Sequence, residues 1–100
     1  MPIRNFTVRV ELTEPSPEKL VQVDDILMTM EFVGFATKKN SDHGWLFRLP
    51  TGLFFGQSES NAEALCTQVS ARLNEHGLEC RAFVSEVVDW SGTEISQATA

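Results

Sequence analysis

Apolar and polar side chains alternate strictly along the first stretch of the chain. Phe6, Val8, Val10 and Leu12 fall on one side and Thr7, Arg9, Glu11 and Thr13 on the other. A period of two predicts a strand with one face in a core and the other in water. Pro15 ends it by removing a ladder donor, and Ser16-Pro17 supplies a helix cap followed by proline at the first helical position. Leu20, Val23, Leu27 and Met30 then recur at steps of three and four, with Ile26 and Val33 widening the stripe. The spacing predicts an amphipathic helix over 17–33, closed by Gly34 as a left-handed cap.

A second extended segment over 35–39 leads into the turn formers Asn40-Ser41-Asp42-His43-Gly44, followed by Trp45, Phe47 and Leu49 at alternate positions. Two alternating runs around such a cluster predict a hairpin. Pro50-Thr51-Gly52 breaks it, and the apolar run Leu53-Phe54-Phe55-Gly56 has no assignable partner. Ser60 and Glu63 have the spacing of a capping box ahead of Leu65, Val69 and Leu73, which predicts a second helix over 61–76 closed by Gly77. Leu78, Cys80, Ala82 and Val84 alternate with Glu79, Arg81, Phe83 and Ser85 as a last strand, and the residues after Ser91 are small and polar. The order strand, helix, strand, strand, helix, strand is the split βαβ plan. It predicts an α+β, ferredoxin-like βαββαβ sandwich over 1–90, with two helices on one face of a four-stranded antiparallel sheet. Right-handed crossovers put the first and third strands at the centre. Residues 91–100 are expected to be a flexible polar tail.

Length and composition agree with one folded domain: 100 residues, 42% hydrophobic and 22% charged. No apolar run approaches the ~20 residues that cross a bilayer, and the start MPIRNF has no secretion-signal core, so neither membrane nor export is expected. Cys66 and Cys80 form no closely spaced cysteine pair of a metal-binding motif. They read as structural thiols in a reducing cytoplasm, with no metal and no cofactor expected.

Fourteen acids against eight bases leave a net charge of -6, which repels polyanions at long range. The distribution is more informative than the total. Arg4, Arg9, Lys38, Lys39, Arg48 and Arg81 lie on or beside predicted strands, whereas Glu18, Asp24, Asp25 and Glu31 belong to the first helix. The sheet face is therefore expected to gather Arg9, Arg48, Arg81 and Phe83, with Lys38 and Lys39 nearby, in a composition suited to phosphate contact and base stacking. The alternative is a set of solvated strand positions paired with Glu11 and Glu79, or a homodimer built on the sheet. The acidic helix would offer a second partner face, able to mimic nucleic acid. For catalysis the candidate is His43, in the hairpin turn; His76 sits at a helix end, and Ser58 lacks the closing glycine of a nucleophile elbow.

The segments FTVRVEL, Met30 to Phe35, NSDHGWLFRLPTG and FVSEVVDW together resemble the family named for the endoribonuclease antitoxin GhoS, over roughly residues 5 to 90. Members of that family are small and ferredoxin-like, and many come from phages or other mobile elements. The resemblance implies the same fold and a link to RNA, because the founding antitoxin cleaves the messenger of its partner toxin. It assigns no catalytic residue to this chain. Two readings follow: a small regulatory module that binds a protein or RNA partner without an active site, and a metal-independent endoribonuclease. In the second, Arg9, Arg48 and Arg81 would hold phosphate and His43 would move the proton.

Overall fold

The computed structural model describes residues 2–38 and 45–91. In chain order the elements are β1 (Arg4–Leu12), α1 (Pro17–Thr29), β2 (Phe32–Val33), β3 (Phe35–Lys38), β4 (Trp45–Arg48), β5 (Leu53–Ser58), α2 (Ala62–Glu75) and β6 (Cys80–Val87). Four strands form one antiparallel sheet in the order β2-β5-β1-β6, while β3 and β4 pair only with each other as a separate ribbon. Because β2 and β6 each run antiparallel to a neighbour of their own starting strand, α1 and α2 are both crossovers between parallel strands that skip one strand.

The core lies between the sheet and the helices. Phe6, Val8, Val10 and Leu12 of β1 are buried together with Val23, Ile26 and Leu27 of α1 and Leu65, Val69 and Leu73 of α2. Both helices therefore cover the same sheet face. The alternation that predicts β1 is thus the alternation between the helix side and the open side. Among the described residues no helix is long and apolar enough to cross a membrane.

Three details differ from the sequence-based expectation. First, α1 stops at Thr29 rather than at residue 33. Met30 caps it, and Glu31 takes the left-handed conformation at φ 66° that was assigned to Gly34, its N–H donating to the Met28 carbonyl at 2.9 Å. The chain can then turn Phe32 back under the helix, where it is 2% exposed. Secondly, the predicted hairpin forms, with Phe35 opposite Arg48 and Lys38 opposite Trp45, but outside the main sheet. The central third position goes to Leu53–Ser58, whose residues pair with β1 from Arg9↔Leu53 to Arg4↔Ser58. Thirdly, Asn61 rather than Ser60 caps α2, its side chain accepting from the Ala64 N–H at 2.8 Å. The glycine at the other end behaves as expected. Gly77 is left-handed at φ 73°, the Leu78 N–H donates to Leu73 O at 3.1 Å and the Gly77 N–H to Asn74 O at 2.9 Å, the paired bonds of a Schellman motif.

Residues 39–44, where the sequence predicts a turn, and 92–100, within the predicted tail, lie outside the described residues.

Gly56 is the tightest point of the fold. A methyl group there would lie 2.7 Å from the Glu31 carbonyl oxygen and 2.7 Å from the Phe32 ring. Gly34 has nothing within 4 Å of the equivalent point. Gly56→Ala is therefore expected to destabilise the protein by about 1–3 kcal/mol in urea denaturation. Gly34→Ala should lie within about 0.5 kcal/mol of the parent. Equal losses at the two sites would show that Phe32 is not seated as described.

Candidate functional site

The uncovered face of the sheet is assembled by register. Gln57, Asn5 and Val87 lie side by side across β5, β1 and β6; so do Phe55, Thr7 and Ser85, and so do Leu53, Arg9 and Phe83. Glu11 stands opposite Arg81. Most of the polar groups satisfy one another across strands. Gln57 Nε2 donates to Asn5 Oδ1 at 3.1 Å, Thr7 and Ser85 share a hydroxyl hydrogen bond of 2.7 Å, and Arg81 donates to Glu11 at 2.7 Å. Such pairs are the sheet counterpart of helix side-chain pairs, each worth a few tenths of a kcal/mol to about 1 kcal/mol.

Arg9 and Phe83 stand apart from this pattern. They face each other directly across β1 and β6, both exposed, with Phe83 at 71%. The Arg9 side chain makes no hydrogen bond or ion pair among the described residues. Together with Glu11 and Arg81 the two residues line one shallow depression on this face. A guanidinium whose donors are unspent, beside an exposed ring, can take an anionic group and a flat or apolar group at once.

The Arg81 guanidinium holds the Glu11 carboxyl below the ordinary 4.5 of a glutamate, first by the hydrogen bond and then by its charge, and Arg9 adds to this. Glu11 is consequently ionised at neutral pH. It offsets Arg81 and leaves Arg9 as the local positive charge.

The expected grouping of Arg9, Arg48, Arg81 and Phe83 is met by three of the four. Arg48 belongs to β4, which pairs with β3 alone, and it lines a different cavity beside α1 together with Asp24. Arg4 does not join the open face either. Its even-numbered position points to the helix side, where it pairs with Glu86 at 3.2 Å and approaches the Ser60 carbonyl at 3.4 Å. Lys38 ends β3; Lys39 and His43 lie outside the described residues.

The four acids of the first helical segment are exposed but spread apart. Glu18 is in the first turn of α1, Asp24 is on the Arg48 cavity, Asp25 is beside Arg72 and His76 in a hollow between the helices, and Glu31 follows the helix. At His76, Nδ1 donates to the Arg72 carbonyl at 2.9 Å. No three His, Cys, Asp or Glu side chains gather as a metal-holding set among the described residues. Cys66 and Cys80 are free thiols, half-buried rather than buried; burial pushes the Cys80 thiol up, and Cys66 donates weakly to the Ala82 carbonyl at 3.7 Å.

The sequence-based reading finds one exposed aromatic on this face, and the structure adds a second feature. Trp90, beyond β6, brings its ring to 6.3 Å from Phe55 of β5 and 6.2 Å from Phe47 of β4, both in tilted geometry. The chain leaving β6 and the ribbon therefore meet over one end of the open face, while the Arg9–Phe83 end stays uncovered. Nothing local signals this contact, since alternation fails after Val88 and the rings come from three distant segments.

Comparison of this chain with family models, with curated proteins and with solved structures finds no match.

Replacing Arg81 with Ala should raise the Glu11 pKa toward 4.5, as read by the pH dependence of its side-chain carboxyl resonance in NMR. The sign follows from linkage. A carboxyl held low in the folded state stabilises the fold above its unfolded value, and that contribution is lost as pH falls through the lowered folded value. The stability difference between parent and Arg81→Ala should accordingly be present at pH 7 and vanish in acid below the folded Glu11 titration. A Glu11 titration that is unchanged in the variant would disprove the pairing.

Proposed function

We propose that the protein is a small regulatory binding module that docks a macromolecular partner on the open face of its sheet, with Arg9 and Phe83 at the centre of contact. The observation that carries this reading is the cross-strand hydrogen bonding of that face. Its polar pairs are closed among themselves, and the directly opposed Arg9 and Phe83 combine a guanidinium without a partner among the described residues with a largely exposed ring. Solvent exposure costs a lone Arg little, whereas a Phe this exposed on an ordered strand gives up the gain of burial that its neighbours Val8 and Val10 obtain.

Single-stranded RNA is the partner this composition suits, in line with the resemblance to the GhoS family: the guanidinium takes a phosphate and the ring stacks on a base. The net charge of -6 gives no long-range attraction, so affinity must come from short-range contact. The sheet order supports the ferredoxin-like plan. Read from the other side it is β6-β1-β5-β2, the last, first, third and second strands of a split βαβ pair once the β3–β4 ribbon is treated as an insertion. Two free cysteines fit action in a reducing cytoplasm.

Fluorescence anisotropy with a labelled single-stranded RNA library checks the assignment. Phe83→Ala should weaken binding by about 1–3 kcal/mol. Arg9→Ala should reduce the salt dependence by roughly one phosphate contact, a log–log slope change near 0.7. Binding indifferent to both substitutions would overturn the reading. So would a partner protein retained equally by parent and double variant. Cleavage of the RNA that survives loss of Arg9 and Phe83 would place any ribonuclease activity elsewhere in the chain.

A further inference from the structure

A cavity of about 340 Å³ opens between α1 and the base of the β3–β4 ribbon, away from the open sheet face. Its volume falls at the lower end of the range of small-ligand pockets, about 300–1,000 Å³. Leu20 and Val23 of α1, Phe35 and Leu49 of the ribbon and Leu53 and Phe54 of β5 give it apolar walls. The backbone around it is held in place. The Val10 N–H donates to Gly52 O at 2.8 Å, the Leu53 N–H to Pro50 O at 3.0 Å and the Leu49 N–H to Gly34 O at 2.9 Å. Gly52, at φ 86°, sits so close to β1 that a methyl group would come within 2.8 Å of the Val10 carbonyl oxygen. The floor is therefore preformed, and these backbone groups are already spent.

Two charged side chains line the same cavity from different walls: Asp24 from α1 and Arg48 from the end of β4. Neither makes a hydrogen bond or an ion pair among the described residues, with each other or with a third group. An apolar carboxylate would meet Arg48 but be repelled by Asp24, and an apolar amine would meet the reverse. A compound carrying both charges at one end and an apolar body at the other matches the charges of both walls and the apolar lining.

We propose that this cavity binds a free α-amino acid with an apolar side chain, its ammonium on Asp24, its carboxylate on the Arg48 guanidinium and its side chain among Leu20, Val23, Leu49 and Phe54. Arg is suited to the carboxylate because its fork can donate two parallel hydrogen bonds. Each buried methylene adds about fourfold in affinity, so alanine should bind far more weakly than valine, and valine more weakly than leucine or methionine. The proposal is independent of the sheet-face reading, because neither Arg9 nor Phe83 lines this cavity and Leu53, which borders both, is assigned no contact with the ligand.

Titrating the ¹⁵N-labelled protein with L-leucine and following its amide resonances tests it. Saturable shifts at Gly34, Leu49 and Gly52 are expected, with a Kd of about 1 mM or tighter. 4-Methylpentanoate, which lacks the ammonium, and 3-methylbutylamine, which lacks the carboxylate, should each bind at least about tenfold more weakly. Asp24→Asn and Arg48→Gln, both at exposed positions, should each weaken leucine by about tenfold while leaving the spectrum folded. Gly34→Val places its side chain in open space at the cavity wall and should abolish binding. No saturable shift with any apolar amino acid would overturn the proposal. Equal binding of 4-methylpentanoate, or leucine binding unchanged in Asp24→Asn and Arg48→Gln, would overturn it as well. The two exposed-site variants decide the matter even if Gly34→Val does not fold.

Discussion

The seating of the Phe32 ring on the bare backbone of Gly56 sets the layout of the molecule. The ring can approach β5 so closely only because residue 56 has no side chain, and that approach anchors β2, a strand of two residues, at the edge of the sheet. Pairing of β2 with β5 ends after these two residues. The chain instead leaves at Gly34, builds the β3–β4 ribbon outside, and re-enters through the turn at Pro50–Leu53 to lay down β5 beside β1. The ribbon and Arg48 lie on the stretch of chain between this contact and β5, with the cavity at the ribbon's base. Glu31 makes the contact reachable: its left-handed backbone turns the chain sharply enough to bring Phe32 beneath the helix it has just left.

Strict alternation made the faces of β1 and β6 legible from the residues alone, and the spacing of Leu65, Val69 and Leu73 did the same for the buried side of α2. The central strand β5 was hidden. In Leu53-Phe54-Phe55-Gly56 the inward positions are Phe54 and Gly56, and a glycine contributes no apolar mark, so period-two patterning is erased where the packing is closest. The end of α1 was misplaced for a related reason. Phe32 and Val33 prolong the apolar stripe of the helix although they belong to a strand, because both elements face the same core. The candidate face was readable as far as Arg9, Arg81 and Phe83, which share a parity on paired strands. Arg48 has the right local pattern but belongs to a ribbon paired with nothing in the main sheet, and the meeting of Trp90 with Phe55 and Phe47 is a tertiary event with no local trace.

Charge is organised here by strand parity more than by element type. Arg4 and Arg9 are both on β1, yet Arg4 turns to the helix side and pairs with Glu86, while Arg9 turns to the open side and its side chain has no partner among the described residues. A net charge of -6 says little about either location. What decides local behaviour is whether a cross-strand neighbour of opposite sign exists at the same register, as Glu11 does for Arg81 and none does for Arg9.

The two edges of the sheet are unequal. On one side β6 offers eight residues with neighbours only at β1; on the other, β2 offers two, with the chain turning away at once into the ribbon. Addition of strands from outside is consequently one-sided. Within the four-stranded sheet, a second copy joined along β6 would bury the long edge of both molecules and leave the two-residue β2 edges outward, so this sheet favours pairing over stepwise growth.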